Sequence, residues 1–422
     1  MVVGAQLIAG LGVTRELTER REAARAALAW VIAESGGTVD AEDVRARFDK
    51  WALKWTQASQ YATSIASFGD TGPFEEIETL EENGSELVVV ARGPHIAWRI
   101  TVAVTGERIR SLSFEPHPAP YRPALSWAEL DAALRAAAPE VGFLAAEVVA
   151  GRCRAHHAVA PDETLALASG FKLYVLGAVG EAVASGRVAW AQRVTIRPAQ
   201  LVQGSFRYGD AAGQRPTVRE LARAMINASD NTATDVLIEL VGREAVEAAF
   251  VTMGMTDPSR NVPLLLVREF SALKWGRPPL AAEYAGLTNV PARRSFLKER
   301  IGGLSGRDAA LDYIITAKYT DGIEWFATPT DQCRALLHLQ EMAKRPGLGT
   351  IRKVLELDNG SGKNTYIAYK PGREPGVVSH SLYLERSGKR YVVVILLRNR
   401  HTEVALPPGL VRDAQRLLYG SR

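Results

Sequence analysis

The N-terminal part of the chain changes from a helical pattern to a pattern of short apolar strands. Residues 14–34 are rich in Ala, Leu, Arg and Glu before Gly36-Gly37, which predicts a helix, and a second helical stretch begins near Asp40. Four apolar or alternating segments follow, separated by Gly-containing turns. The predicted strands are Ile77–Leu80, Glu86–Arg92, Ala97–Val104 and Ile109–Phe114. Helices followed by an antiparallel meander make a small α+β unit.

A proline-rich segment, with four prolines in residues 116–123, follows this unit. Such a composition favours an extended linker over a core element. We therefore predict an N-terminal domain at residues 1–115, a linker at 116–125 and a larger domain at 126–422.

The larger domain begins and ends with strand patterns, and helical patterns lie between them. The predicted helices are Ser126–Ala137, Leu165–Ala184, Thr217–Ala228, Asn231–Val241 and Gly409–Tyr419, and the predicted strands are Phe143–Val149, Cys153–Val159, Tyr366–Lys370, Val377–Glu385 and Arg390–Arg398. Ser126 with Glu129 and Thr217 with Glu220 predict capping boxes. This order predicts an α+β fold whose antiparallel sheet combines strands from distant parts of the sequence.

Composition narrows the possible functions. The chain has 51 Lys and Arg against 47 Asp and Glu, without a dense basic run, so we expect no nucleic-acid partner. No apolar run reaches transmembrane length, and the N-terminus is a poor signal peptide, which favours the cytoplasm over export after removal of a signal. For Cys153 and Cys333 we expect buried free thiols, with one disulfide as the alternative. Motif spacing indicates no metal, no nucleotide and no other cofactor.

Candidate chemistry begins at Ser169 and Lys172, which share a helix face at positions i and i+3. A desolvated lysine can accept the proton of a serine nucleophile. The chain contains two further S-x-x-K tetrads, Ser271/Lys274 and Ser295/Lys298, so this motif alone is weak. It therefore needs support from other motifs.

Two later motifs give that support. Ser229-Asp230-Asn231 lies sixty positions after Ser169, and Lys370-Pro371-Gly372 lies later on a predicted strand. Of the three tetrads, Ser169/Lys172 alone precedes the Ser-Asp-Asn triplet. Lys274-Trp275-Gly276 also fits K-x-G but does not lie on a predicted strand.

In this order, S-x-x-K, S-D-N and a K-x-G triplet resemble the signature of class A β-lactamases and penicillin-binding proteins, over roughly Ser126 to the C-terminus. The resemblance implies an antiparallel sheet with flanking helices, an all-helical subdomain and an acyl-enzyme mechanism without metal. It implies that Ser169 attacks an acyl carbonyl, that Lys172 accepts or shares its proton and that Ser229 relays a proton to the leaving group. Lys370 would contribute positive charge near Ser229 and a substrate carboxylate. Asn231, Gly372 and Arg373 would contact the substrate, and the N–H groups of Ser169 and Arg373 would form the oxyanion hole.

Two departures from the family pattern bear on activity. Pro371 replaces the hydroxyl residue of K-[ST]-G, and the stretch Asn261–Leu266 shows no E-x-x-L-N to activate a deacylating water. Glu269 reads as a helix-surface acid. We therefore expect a serine hydrolase that acts on an ester, a β-lactam or a related amide and is weak as a β-lactamase. The alternatives are a true β-lactamase or D-Ala peptidase, and a binding or sensor protein without turnover.

The N-terminal unit resembles the cone-shaped fold of nuclear transport factor 2 and steroid isomerase. Such a unit ahead of a β-lactamase-like domain is similar to an actinobacterial group that includes a clavulanic-acid pathway protein. No acid–base pair stands out in it, so we expect an accessory or substrate-gating role.

Overall fold

The computed structural model describes residues 3–35, 37, 39–55, 58–69, 71–94, 96–118, 120–202, 204–276, 280–304, 317–357 and 365–420. These residues fall into two compact units, which divide between Pro120 and Tyr121.

The first unit contains four helices followed by a four-stranded antiparallel sheet. The helices are α1 Val3–Glu34, α2 Ala41–Arg47, α3 Ala52–Trp55 and α4 Ala58–Gly69, and the strands are β1 Glu76–Asn83, β2 Glu86–Arg92, β3 Ala97–Thr105 and β4 Arg108–His117. The sheet order is β1-β2-β3-β4, so the predicted meander is confirmed. Strand β4 continues two residues into the segment predicted as a linker.

The core of this unit lies between the helices and one face of the sheet. Along β3, buried and half-buried residues alternate, and Trp98, Ile100 and Val102 are fully buried on the same face. Phe68 of α4 meets Trp98 edge-on, with ring centroids 6.4 Å apart. The indole N–H of Trp98 donates to Thr71 Oγ1 at 2.9 Å, so the buried polar atom is satisfied.

The second unit surrounds a five-stranded antiparallel sheet. Its helices are α5 Trp127–Ala137, α6 Lys172–Ala184, α7 Val218–Asn227, α8 Asn231–Val241, α9 Arg243–Thr252, α10 Val267–Trp275, α11 Ala281–Ala285, α12 Val290–Phe296, α13 Pro329–Met342, α14 Thr350–Leu355 and α15 Leu410–Gly420. Its strands are β5 Glu140–Val149, β6 Arg152–Val159, β7 Leu165–Ala166, β8 Phe326–Ala327, β9 Thr365–Glu374, β10 Val377–Arg386 and β11 Lys389–Arg398.

The strand order β6-β5-β11-β10-β9 confirms that the sheet combines distant parts of the chain. Leu130 of α5 and Leu410 and Leu418 of α15 pack on one face of the sheet. Helix α13 lies on the other face, where Gln332 accepts a hydrogen bond from Ser381 of β10. The α+β fold predicted for this unit is therefore confirmed. The predicted capping box of Thr217 and Glu220 is complete.

The predictions for one helix and for the two cysteines of this unit are wrong. The segment Leu165–Ala184 is not one helix, because Leu165–Ala166 pairs with β8 and a 3-10 turn at Ala168–Phe171 precedes α6. Cys153 and Cys333 are not free thiols but form a disulfide across 180 residues of sequence. Both corrections depend on partners that are remote in the chain, and local pattern does not reveal them.

Among the described residues, no helix combines the length and the hydropathy needed to cross a bilayer.

Candidate active site

The predicted nucleophile lies on a constrained turn between β7 and α6. Leu167 N–H donates to Trp325 O at 2.8 Å, and Leu167 O accepts from Ser379 Oγ at 2.6 Å. Ala168 has a φ of +44°, a left-handed conformation that costs a non-glycine residue of order 1–3 kcal/mol. Ser169 follows and is half-buried.

Lys172 connects this turn to the Ser-Asp-Asn segment. In a 3-10 turn, side chains at i and i+3 eclipse, so Lys172 lies on the same face as Ser169. Its fully buried ammonium donates to Ser229 O at 2.6 Å, to Ser229 Oγ at 3.2 Å and to Asn231 Oδ1 at 2.8 Å. Burial lowers the pKa of Lys172 to about 7, although Asp230 and Asp235 oppose this shift. A large fraction of this amine is therefore neutral near pH 7.

Ser229 also contacts the second predicted lysine. Lys370 Nζ donates to Ser229 Oγ at 2.8 Å, and the Lys370 side chain is fully buried on β9. Burial, with the charge of Lys172 as a further cause, lowers the pKa of Lys370 well below its ordinary value. Ser229 itself has a φ of +52°. In this conformation, its carbonyl and its hydroxyl both accept hydrogen bonds from lysines.

Gly372 explains how β9 can approach the nucleophile turn so closely. A Cβ at this position would lie 2.3 Å from Leu167 O and 2.8 Å from Gly170 N. Glycine is therefore needed for close backbone approach here. The three segments that carry Ser169, Ser229 and Lys370 thus converge in space.

The backbone of β9 also accounts for Pro371 and Arg373. β9 is an edge strand of the sheet. The carbonyl of Ile367 accepts a hydrogen bond from Leu357 N–H, so the backbone groups of Ile367 face the free edge and not β10. Alternate residues of a strand direct their backbone groups to the same edge. Pro371 therefore stands where its missing N–H breaks no bond to β10. The N–H of Arg373 faces the same free edge, and the Arg373 side chain is exposed.

A loop around Phe206 was missed by the sequence patterns. Asp230 Oδ2 accepts hydrogen bonds from the N–H groups of Arg207 (2.9 Å) and Tyr208 (3.0 Å). Ser205 Oγ accepts from Thr232 N–H at 2.8 Å. The side chain of Phe206, held between these anchors, is 90% exposed. The Asp of the Ser-Asp-Asn triplet was the available signal, because a capping carboxylate that uses one oxygen on its helix has a second oxygen that can accept further hydrogen bonds.

The stretch Asn261–Leu266 adjoins the nucleophile turn from another direction. Asn261 bonds both backbone groups of Phe326, and Phe326 pairs with Ala166 of β7. The leucines of this stretch are buried. It contains no carboxylate.

The interpretation of Glu269 as a surface acid is wrong. Glu269 is 5% exposed and forms two hydrogen bonds to Arg243, at 2.7 and 2.9 Å. It also accepts from Leu266 N–H at 2.9 Å. Both of its oxygens are therefore engaged at the start of α10.

The other two S-x-x-K tetrads lie in different surroundings. Ser295 is exposed and donates to Glu299 at 2.6 Å. Lys274 is buried in a separate ionic cluster, where it bonds Glu374 at 2.6 Å. Neither tetrad contacts the Ser-Asp-Asn segment through a hydrogen bond among the described residues.

Together, the five-stranded antiparallel sheet, the buried helix α6 and the lysine–serine cluster beside Ser169 define a unit of the penicillin-recognising type. A family model for the β-lactamase enzyme family matches residues 126–416, and the chain belongs to this family. The comparison with curated protein sequences gave no match.

One solved structure supports this assignment at the level of the fold, and two others are also similar. The chain is similar to a β-lactamase from Sphaerobacter thermophilus, with 22% identity, a TM-score of 0.50 and coverage of 70% of this chain and 98% of that chain. A β-lactamase from Desulfarculus baarsii is 20% identical, with a TM-score of 0.47 and coverage of 71% and 98%. A PBP-A mutant in an acyl-enzyme complex with penicillin G is 18% identical, with a TM-score of 0.46 and coverage of 71% and 98%.

Proposed function

We propose that this protein is a serine acyl hydrolase that forms an acyl-enzyme on Ser169, prefers esters and turns over β-lactams slowly. One observation carries the proposal. Lys172, Ser229 and Lys370 form a continuous hydrogen-bonded chain, and the half-buried Ser169 lies on the turn that leads into Lys172.

Acylation follows from the protonation states of the two amines. Neutral Lys172 accepts the proton of Ser169 while Oγ forms a bond to the acyl carbon. The negative charge on the carbonyl oxygen is stabilised by the N–H groups of Ser169 and Arg373, each worth about 3 kcal/mol at such a site. Ser229 gives its proton to the leaving oxygen as the acyl–oxygen bond breaks. Ser229 is then reprotonated from a neighbouring lysine.

Slow deacylation is supported by the stretch Asn261–Leu266 and by Glu269. The stretch offers no acid to activate water, and Glu269 is held by Arg243. The preference for esters is supported by Pro371. It removes the hydroxyl that the family pattern places near the substrate carboxylate, while an ester has no such carboxylate to bind.

The proposal is tested by intact mass spectrometry after mixing with p-nitrophenyl acetate, nitrocefin or penicillin G, with peptide mapping of any adduct. We expect an acyl adduct on Ser169 and faster turnover of the ester than of nitrocefin. Turnover of nitrocefin above about one per second would overturn the ester preference. An adduct mapped to another residue would overturn the site.

A second candidate function is that of an acyl-ligand sensor, which the absence of an acid in Asn261–Leu266 favours. A sensor keeps its adduct, so release of acetate slower than about one event per hour would select it over the hydrolase. A true β-lactamase or D-Ala peptidase is selected if nitrocefin or a D-Ala-D-Ala peptide is turned over faster than the ester.

For the N-terminal unit we propose an accessory fold of the nuclear-transport-factor-2 type that gates substrate. The fold type is supported by the four-stranded meander of this unit and the helices packed on one face of it. For localisation, the Cys153–Cys333 disulfide favours an oxidising compartment over the cytoplasm. Thiol counting after rapid alkylation of the protein in its source cells tests that preference.

A further inference from the structure

A buried ionic cluster lies next to the candidate active site, outside the set of residues used for acylation above. Lys274 Nζ lies 2.6 Å from Glu374 Oε1 and 3.7 Å from Glu324 Oε1. The three side chains are 1%, 6% and 0% exposed, respectively. Burying charges costs several kcal/mol per ion, so a cluster of this kind is a poor way to gain stability alone.

The two acids of the cluster adjoin the two backbone groups proposed to bind the oxyanion. Glu324 Oε2 accepts the N–H of Ala168 at 3.1 Å, and Ala168 is the residue before Ser169. Glu374 is the residue after Arg373 on β9. Lys274 lies between the two acids, with a hydrogen bond to Glu374 and an ion-pair distance of 3.7 Å to Glu324.

The conformation of Ala168 gives the contact to Glu324 a physical purpose. With a φ of +44°, Ala168 is in a conformation that the surrounding structure must enforce. Glu324 also accepts the N–H of Trp325 at 2.9 Å, and the Trp325 ring stacks on Phe171 at 3.9 Å between centroids. The Glu324 carboxylate thus accepts one hydrogen bond from Trp325, the next residue in the chain, and one from Ala168, the residue with the positive φ.

The charge balance of the cluster is also informative. One ammonium cannot neutralise two carboxylates, and all three side chains are buried. Burial, with the nearby Glu324 carboxyl as a further cause, raises the pKa of Glu374 well above its ordinary value. A protonated Glu374 leaves one cation and one anion, with Lys274 still able to donate to Glu374 Oε1.

We propose that Lys274, Glu324 and Glu374 form a positioning clamp that sets the spacing between the N–H groups of Ser169 and Arg373. The three residues do not touch substrate. They act through the backbone of the nucleophile turn and of β9. This inference rests on the proposed function, because the spacing matters only if an oxyanion forms there.

The test is a burst experiment with p-nitrophenyl acetate on the full chain. We expect Lys274→Met and Glu324→Gln to lower the acylation rate constant by about 10- to 100-fold, because removing one oxyanion donor costs about 10²–10³-fold and misplacing it costs less. The concentration of ester at half-maximal rate should change by less than about twofold. Glu374→Gln imitates the protonated acid and should keep the rate within about threefold.

The matched control is Glu140→Gln. Glu140 is the first residue of β5, and this change breaks its ion pair with the buried Arg398. It should lose stability but keep the acylation rate. Melting temperatures of all variants show which are folded under assay conditions. If Lys274→Met is not folded, the isosteric Glu324→Gln remains as the test variant.

Three results would overturn the clamp. The first is that Lys274→Met and Glu324→Gln fold and acylate at the wild-type rate. The second is that these variants change only the ester concentration at half-maximal rate. The third is that Glu140→Gln loses as much of the acylation rate as they do. If the wild-type chain forms no adduct on Ser169, the proposed function fails first, and the clamp fails with it. An adduct with normal rates in the clamp variants sinks the clamp alone.

Discussion

The two sides of the candidate site differ in their chemistry. On one side, Lys172, Ser229 and Lys370 share hydrogen bonds of 2.8 to 3.2 Å around the Ser229 hydroxyl. On the other side, Asn261–Leu266 adjoins the same turn with buried leucines and an asparagine committed to Phe326. The first side has groups that can move protons during acylation. The second side has none that can activate water.

This difference teaches that the two half-reactions of an acyl-enzyme depend on separate parts of the fold. Acylation needs a base and a proton relay near the nucleophile, and burial of lysines supplies both. Deacylation needs a base that activates the attacking water, and the class A pattern supplies it as a glutamate carboxylate on another segment. A chain can therefore keep the first capacity while its second is slow.

The largest effect is expected for Ser169→Ala. This variant lacks the oxygen that forms the acyl bond, so kcat/KM for p-nitrophenyl acetate should fall by at least about 10⁴-fold. The matched control is Ser295→Ala, which removes the serine of another S-x-x-K tetrad that bonds Glu299 at the surface. Its activity should be unchanged. Activity retained by Ser169→Ala would remove the acylating side of the comparison.

A smaller loss, of about 10³-fold, is expected for Lys172→Met, within the usual range for a general base. In the wild type, kcat/KM should rise as the pH increases through about 7, because Lys172 is active once its proton is lost. The rising limb should be absent in Lys172→Met. The control is Lys298→Met, from the exposed tetrad. A wild-type profile without this limb would contradict the role of Lys172.

The pKa of Lys172 also predicts a change in stability. Between pH about 7, the pKa of Lys172 in the folded protein, and pH 10.5, its ordinary pKa, this residue binds more protons in the unfolded chain than in the folded chain. The unfavourable contribution of Lys172 to folding is therefore full below pH about 7 and fades as the pH rises to 10.5. The free energy of unfolding in urea should therefore rise with pH in the wild type, relative to Lys172→Met, between pH about 7 and 10.5. A difference that is constant with pH would show that the pKa of Lys172 is not lowered in the folded protein.

Phe206→Ala should have a modest effect on substrate binding. Its exposed ring is anchored beside the Ser-Asp-Asn segment, and an aromatic contact contributes about 0.5–1.5 kcal/mol, or about 2- to 12-fold. We expect KM for an aryl ester to rise by this factor with kcat nearly constant, and Phe206→Tyr to behave as the wild type. A large fall in kcat instead would place Phe206 in the chemistry.

The smallest effect is expected for Glu269→Gln. Because both oxygens of Glu269 are engaged by Arg243 and Leu266, the rate of adduct release should change by less than about twofold. The free energy of unfolding should fall by about 2 kcal/mol, as charged hydrogen bonds are lost. A release rate slowed by tenfold or more would identify Glu269 as the water-activating acid and end the contrast between the two sides.

Much of the fold could be predicted because its signals are local. Strands β2 and β10 and helix α8 follow apolar patterns that the side-chain period of each element requires. The turn at Ser169 could not be predicted as a break in a helix, since its cause is pairing of Leu165–Ala166 with β8. The disulfide and the burial of Glu269 were missed for the same reason.

The sequence by itself determined which residues carry the candidate chemistry, because the order of three short motifs selects Ser169 among three serines in S-x-x-K tetrads. Tertiary structure alone decided how those residues are placed and how deeply they are buried. Burial lowers the pKa of Lys172. The lack of a Cβ at Gly372 allows β9 to approach the turn that carries Ser169. Lys274, Glu324 and Glu374 form a buried ionic cluster next to that turn and β9. Desolvation and distance are properties of neighbours in space, and the sequence does not state those neighbours.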